Sequence, residues 1–143
     1  MSQENVEIVR EIMDLFNRAG DAEAATEVFA RFDPDVVIDM TRRVFNPDVY
    51  EGHAGLRRLG KEVSEVWGAF QLEPERFIDV GDRVVVIERR RGRGRESGVE
   101  VEMRSAVIWT IKKGKVVRME TDLAPEQALD AVGLSVQDAH DDS

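Results

Sequence analysis

Apolar residues recur at helical spacing near the start of the chain: Val6, Val9, Ile12, Met13 and Phe16 share one face. Ser2 ahead of them supplies a cap, and Gly20 behind them supplies a left-handed stop. A second, alanine-rich helix is capped by Asp21 and gathers Ala25, Val28, Phe29 and Phe32 on one face, until Asp33-Pro34 ends it. So short a connection predicts an αα-hairpin. Val36 to Met40 is brief and β-branched and predicts a strand, whereas Arg42 to Gly52, with Pro47, predicts a loop. Helical spacing returns from Ala54 to Phe70 through Leu56, Leu59, Val63, Val66, Trp67 and Phe70. Beyond it the period changes. Strands are predicted over 75–80, 84–88, 99–111 and 115–123, with turns at Gly81-Asp82 and Lys113-Gly114. Pro125 sits well at the first turn of a last short helix reaching Val132. Helices first and strands later predict an α+β fold with an antiparallel meander.

A chain of 143 residues is long enough to bury one core, so residues 1–134 are expected to form a single domain. The polar residues 135–143 are expected to be a disordered tail. No cysteine occurs, which excludes disulfides and thiolate chemistry. Two histidines, His53 and His140, do not make a histidine-rich metal site, so no metal is expected, and no cofactor is expected either. The first residues hold no basic leader and no long apolar run, and the expected location is cytoplasmic, without a membrane. A net charge of −9 opposes attachment to nucleic acid. The arginine-rich run ERRRGRGRESG spaces its glycines as GxGxxxG between two strands and has no interleaved aromatic residue. It predicts an exposed hairpin.

The element order, together with DPDVV, YEGHAGL, the GDRVVV hairpin and WTIKKGKVVRME, resembles the SnoaL-like group of the NTF2-like superfamily over about Val6 to Leu134. The resemblance implies a cone, three helices packed on a curved, mainly antiparallel sheet, with a pocket between them and a homodimer. It also implies a small hydrophobic molecule as ligand. The relatives include isomerases, cyclases, epoxide hydrolases and noncatalytic binding modules, and one fold hosts many chemistries. The ketosteroid isomerase triad falls here on Met13, Met40 and Val107, which cannot perform that chemistry. Nothing in the pattern reproduces the Asp-Arg-Asp set of the epoxide hydrolases.

Counting strand faces from these matches predicts that Val101, Met103, Ser105, Val107 and Trp109 line the pocket, with Val117, Met119, Thr121 and Leu123, and that Arg104, Arg118, Glu120 and Asp122 face outward, toward solvent or a partner subunit. Arg89 is expected at the rim, on the face of Val85 and Ile87. Asp39 is either a pocket base raised by apolar neighbours or an outward carboxylate paired with Arg42 or Arg43. His53 is an acid-base partner or a structural residue of the helix start, and Tyr50 a hydrogen-bond donor or a loop anchor. Trp67 and Trp109 stack on a flat ligand or belong to the core. The reading is thus an apolar pocket for a small molecule, with acid-base chemistry by Asp39 and Tyr50 or His53 as its polar partner, or else a noncatalytic dimerisation or ligand-sensing module.

Overall fold

A computed structural model describes residues 2–18, 22–44 and 46–134. The expected stop at Gly20, the cap at Asp21 and the tail lie outside the described residues, as does the Ser2 side chain. The elements are α1 (Ser2–Phe16), α2 (Ala22–Arg31), β1 (Phe32–Asp39), β2 (Val49–Glu51), α3 (Gly52–Val66), β3 (Trp67–Val80), β4 (Arg83–Gly94), β5 (Glu100–Lys112), β6 (Lys115–Leu123) and α4 (Pro125–Ala131). The strands form one six-stranded sheet in the order β2-β1-β6-β5-β4-β3. All neighbours are antiparallel except β1 and β6, which run parallel.

Each face of the sheet buries its own apolar set, because successive side chains of a strand point to opposite sides. The inner face, under α1, α2 and α3, carries Phe32, Val36, Ile38, Val84, Val86, Val107, Trp109, Val116 and Met119. The outer face carries Ile78, Val85, Ile87, Ala106, Ile108 and Leu123 beneath Ala128, Leu129 and Val132 of the α4 end. On the inner side, Trp109 packs against Phe16 and Phe32, with ring centroids 6.3 and 6.4 Å away. Gly55 lets α3 lie directly on β2: a Cβ there would stand 2.9 Å from the Tyr50 carbonyl carbon.

Several boundaries differ from the sequence reading, two of them at the ends of helices. Phe32 starts β1 rather than closing α2, and Trp67 starts β3 rather than continuing α3. The second difference has a local cause. A bulge between Trp67 and Ala69 shifts the pairing with β4, so Trp67 and Phe70 come together although three residues apart, as in a helix. The short β2 also lies within the stretch read as loop, where it pairs with the end of β1.

The edge strand β3 is tied to the residue that follows α1 by a side-chain amide. Asn17 donates from Nδ2 to the Leu72 carbonyl at 2.8 Å, and its Oδ1 accepts the Leu72 N–H at 2.8 Å. The amide thereby stands in for a neighbouring strand at one position of the edge. Asn17→Ala is expected to lower unfolding stability by about 1 to 2 kcal/mol, since both backbone groups are part-buried. Urea denaturation checks this, and an unchanged midpoint would show that solvent replaces the amide.

Candidate functional site

The inner face changes character along β4. Val84 and Val86 lie in the apolar core, and the same alternation carries Glu88 and Arg90 to the helix side. Glu88 is 1% exposed. Its Oε2 accepts from Arg90 Nε at 2.9 Å, and Arg90 Nη1 donates to Asp122 Oδ1 at 2.9 Å. Thr121 Oγ1 donates to the other Asp122 oxygen at 2.7 Å. Arg90 and Asp122 keep 13% and 14% of their side-chain surface exposed, so solvent reaches this trio at one end.

Asp122 owes its position to a defect in β6. The pairing with β5 jumps between Ala106–Leu123 and Ile108–Glu120, leaving Thr121 and Asp122 together opposite Val107. Asp122 adopts φ of 61°, an uncommon conformation for a residue with a Cβ. A regular strand would send residues 121 and 122 to opposite faces. The bulge instead brings Asp122 to Arg90.

Electrostatically the trio holds two acids and one base. Burial pushes the Glu88 carboxyl above its ordinary value; Arg90 opposes the shift and the Asp122 charge adds to it. Burial disfavours the Arg90 charge, but Glu88 and Asp122 outweigh that and raise its pKa. A carboxyl whose charge burial disfavours, beside a fixed cation that supports the charged form, can take up a proton and give it to a bound oxygen. Among the described residues, no three His, Asp or Glu side chains are grouped as metal ligands.

The residues singled out from sequence divide between the two faces. Ile38 is on the inner side, which turns Asp39 outward; its Oδ1 accepts from the Thr41 hydroxyl and backbone N–H, and Arg118 reaches its Oδ2 at 3.2 Å. The Thr41 bonds, joined by the charges of Arg118 and Arg42, hold the Asp39 carboxyl below its ordinary value despite partial burial. This corrects the expectation of a pocket base: the outward alternative holds, with Arg118 as partner rather than Arg42 or Arg43. Tyr50 is buried on the inner side, its hydroxyl donating to Glu62 and accepting from Arg43. His53 shares a hydrogen bond with the Phe32 carbonyl and meets the Phe29 ring edge-on. The geometry therefore does not bring Asp39, Tyr50 and His53 together.

Arg89 is also corrected. Val85 and Ile87 face outward beneath α4, so Arg89 lies on the outer side with Glu102 and Glu75. Met13, Val107, Trp109 and Met119 belong to the inner core, and Met40 packs against it. Val117 and Leu123 are not inner residues. A bulge between the pairs Thr110–Arg118 and Ile111–Val116 puts Val116 rather than Val117 on the face of Met119, and Leu123 sits in the outer cluster. Trp67 covers Gly92, where a Cβ would come within 2.6 Å of the indole. Val101 and Met103 are exposed. An open depression of about 550 Å³ lies at this end, lined by Val66, Trp67, Arg95, Val99 and Val101; the trio does not line it.

Glu88 was not singled out from sequence, and Asp122 was counted to the outward face, which its bond to Arg90 on the inner side corrects. VVVI is apolar at every position, so alternation cannot tell which of Glu88 and Arg89 continues the inner face. A period-two count reaches Glu88 only when it is started from Val84 and Val86, a choice the sequence leaves open. For Asp122 no such count works, because the bulge breaks it. The trio is an acid–arginine–acid arrangement, yet it is not the Asp-Arg-Asp set, since glutamate stands in one acid position.

The model of the SnoaL-like domain matches residues 9–119, from α1 to the middle of β6. The chain belongs to the SnoaL-like family. The SnoaL-like chain resembles an NTF2-like protein of unknown function from Burkholderia pseudomallei at 24% identity and TM-score 0.73, over 93% of this chain and 99% of that one. It resembles TerC, crystallised with polyporic acid, at 26% identity and TM-score 0.71, over 90% and 98%. A putative SnoaL-like polyketide cyclase from Jannaschia sp. aligns at 20% identity and TM-score 0.71, over 85% and 86%. None of the curated proteins compared matches the sequence. The SnoaL-like fold here is therefore the α+β, NTF2-like arrangement, and no helix among the described residues is long and apolar enough to cross a membrane.

Proposed function

We propose that this SnoaL-like protein binds a small, mostly apolar organic molecule on the inner face of the sheet. Glu88 then transfers a proton to or from one of its oxygens. The observation that carries this reading is a buried carboxyl with raised pKa, bound to an arginine that also holds a second acid. Arg90 fixes the direction of both carboxylates and stabilises the charge left on Glu88 when the proton departs. Asp122, at the more exposed end, is placed to take a proton from water. The pair suits the opening of an epoxide by water: the water oxygen bonds to carbon, the carbon–oxygen bond breaks, Glu88 protonates the freed oxygen and Asp122 accepts the proton of the water. TerC, which was crystallised with polyporic acid, supports a small-molecule ligand.

A noncatalytic binding module is the second reading, favoured by the density of the inner core, where Trp109, Phe32, Ile12 and Met13 are almost fully buried. Thermal unfolding with styrene oxide or α-tetralone, together with product analysis, separates the two. Binding at ten times Kd is expected to stabilise the fold by about 1.4 kcal/mol, and Asp39→Asn is expected to leave both binding and turnover unchanged. Stabilisation without any product would support the module. No stabilisation by either compound would remove the proposed small-molecule site.

A further inference from the structure

Among the described residues, Ser105 is one of three whose side chain holds a buried polar atom without a hydrogen-bond partner. It is 8% exposed and stands directly opposite Glu88 in the β4–β5 ladder. Alternation from Val107 and Trp109 places it on the inner face. Burying a hydroxyl without a partner is unfavourable, and the neighbouring side chains bond one another instead: Glu88 and Asp122 to Arg90, and Thr121 to Asp122. The other two cases differ. Arg76 is not fully buried, and the Trp109 indole N–H lies in a side chain that packs against the rings of Phe16 and Phe32. Only the Ser105 hydroxyl lies beside a group able to move a proton.

We infer that Ser105 is a positioning and specificity-determining residue: its hydroxyl donates to the ligand oxygen that exchanges a proton with Glu88, and it selects neutral molecules bearing a carbonyl or ether oxygen. This rests on the proposed function of the same site. Such an oxygen has two lone pairs. One accepts the Ser105 hydroxyl and the other receives the proton as the Glu88 O–H bond breaks, leaving a carboxylate already held by Arg90. Neutrality follows from the charge count: with Glu88 protonated, Arg90 and Asp122 balance each other, so no net cation remains to hold an anionic ligand.

The test compares α-tetralone with tetralin, which has the same carbon skeleton without the oxygen, on wild type and Ser105→Ala by calorimetry and thermal unfolding. Wild type is expected to prefer the ketone. Ser105→Ala is expected to weaken α-tetralone binding about fivefold to tenfold while leaving tetralin unchanged. Without ligand, the same variant is expected to unfold roughly 2 to 4 °C higher, because an unmatched hydroxyl has been removed. Ser105→Thr, which keeps the hydroxyl, should retain the preference for the ketone. If wild type binds α-tetralone and Ser105→Ala binds it equally well, the role of Ser105 is overturned while the proposed function stands. A lower unfolding temperature for unliganded Ser105→Ala overturns it too, since the hydroxyl would then be matched in the free protein. If wild type binds neither compound, the proposed function falls and this inference with it.

Discussion

Replacing Glu88 by glutamine is expected to lower turnover of an epoxide or ketone substrate by about a hundredfold or more, the usual contribution of a positioned acid or base. Binding of the same compound should change little, because the amide keeps the shape of the carboxyl and retains an oxygen facing Arg90. The stability of the fold should move in the other direction. The Glu88 carboxyl is raised in the folded protein, so between its ordinary value of 4.5 and its folded value the native state holds more protons than the unfolded chain. Stability therefore falls as pH rises through that window and is level above it. Glu88→Gln removes this fall and leaves Arg90 paired with Asp122, a balanced pair. Urea denaturation of both proteins from pH 4 to pH 8 reads the difference, and parallel curves would remove Glu88 as a raised acid. Asp39 does not confuse the result. Its carboxyl is lowered from 3.8, so its contribution is present above that value and is lost as pH falls through the folded value, below the Glu88 window.

Arg90→Met is expected to be the most destabilising of the proposed changes, by about 3 to 5 kcal/mol at neutral pH. Methionine keeps much of the volume but removes the cation from between two carboxylates. Glu88 is almost fully buried, so its charge would be left without a partner, and Asp122 adds a like charge. The partial exposure of Arg90 and Asp122 favours the lower end of this range. The loss should shrink as pH falls and Glu88 takes up its proton. Combining Arg90→Met with Glu88→Gln should recover part of it, and chemical denaturation of the four proteins of that cycle measures the coupling. By contrast, Arg89 with Glu102 on the outer face is a half-exposed pair of the kind worth about 1 kcal/mol or less. A loss for Arg90→Met no larger than that would mean that water screens the trio fully.

How far the site was legible follows from where periodicity holds. Helix α1 was readable because Val6, Val9, Ile12 and Met13 form one buried stripe. The turn at Lys113-Gly114 was readable because both residues take positive φ there, which glycine accepts readily. Trp67 and Phe70 were misplaced because a strand with a bulge brings residues three apart together, which imitates a helix. Arg89 was sent to the wrong side because both faces of β4 are apolar over Val84–Ile87, one beneath the helices and one beneath α4. The pattern there gives two equally good registers. Asp122 was sent outward because its direction depends on a bulge defined only by pairing with β5.

The sequence by itself determined that helices precede a meander of strands, and the motifs around DPDVV and YEGHAGL were enough to place the chain among SnoaL-like proteins. Local propensity, turn chemistry and apolar spacing act within a few residues, so a linear reading captures them. Only the tertiary structure decided that Asp39 points outward to Arg118, that Glu88 rather than Arg89 faces the helices, and that Asp122 joins Arg90 across β5. These depend on which strand lies beside which, and on how bulges shift the register. A shift of one residue reverses the face of every side chain beyond it.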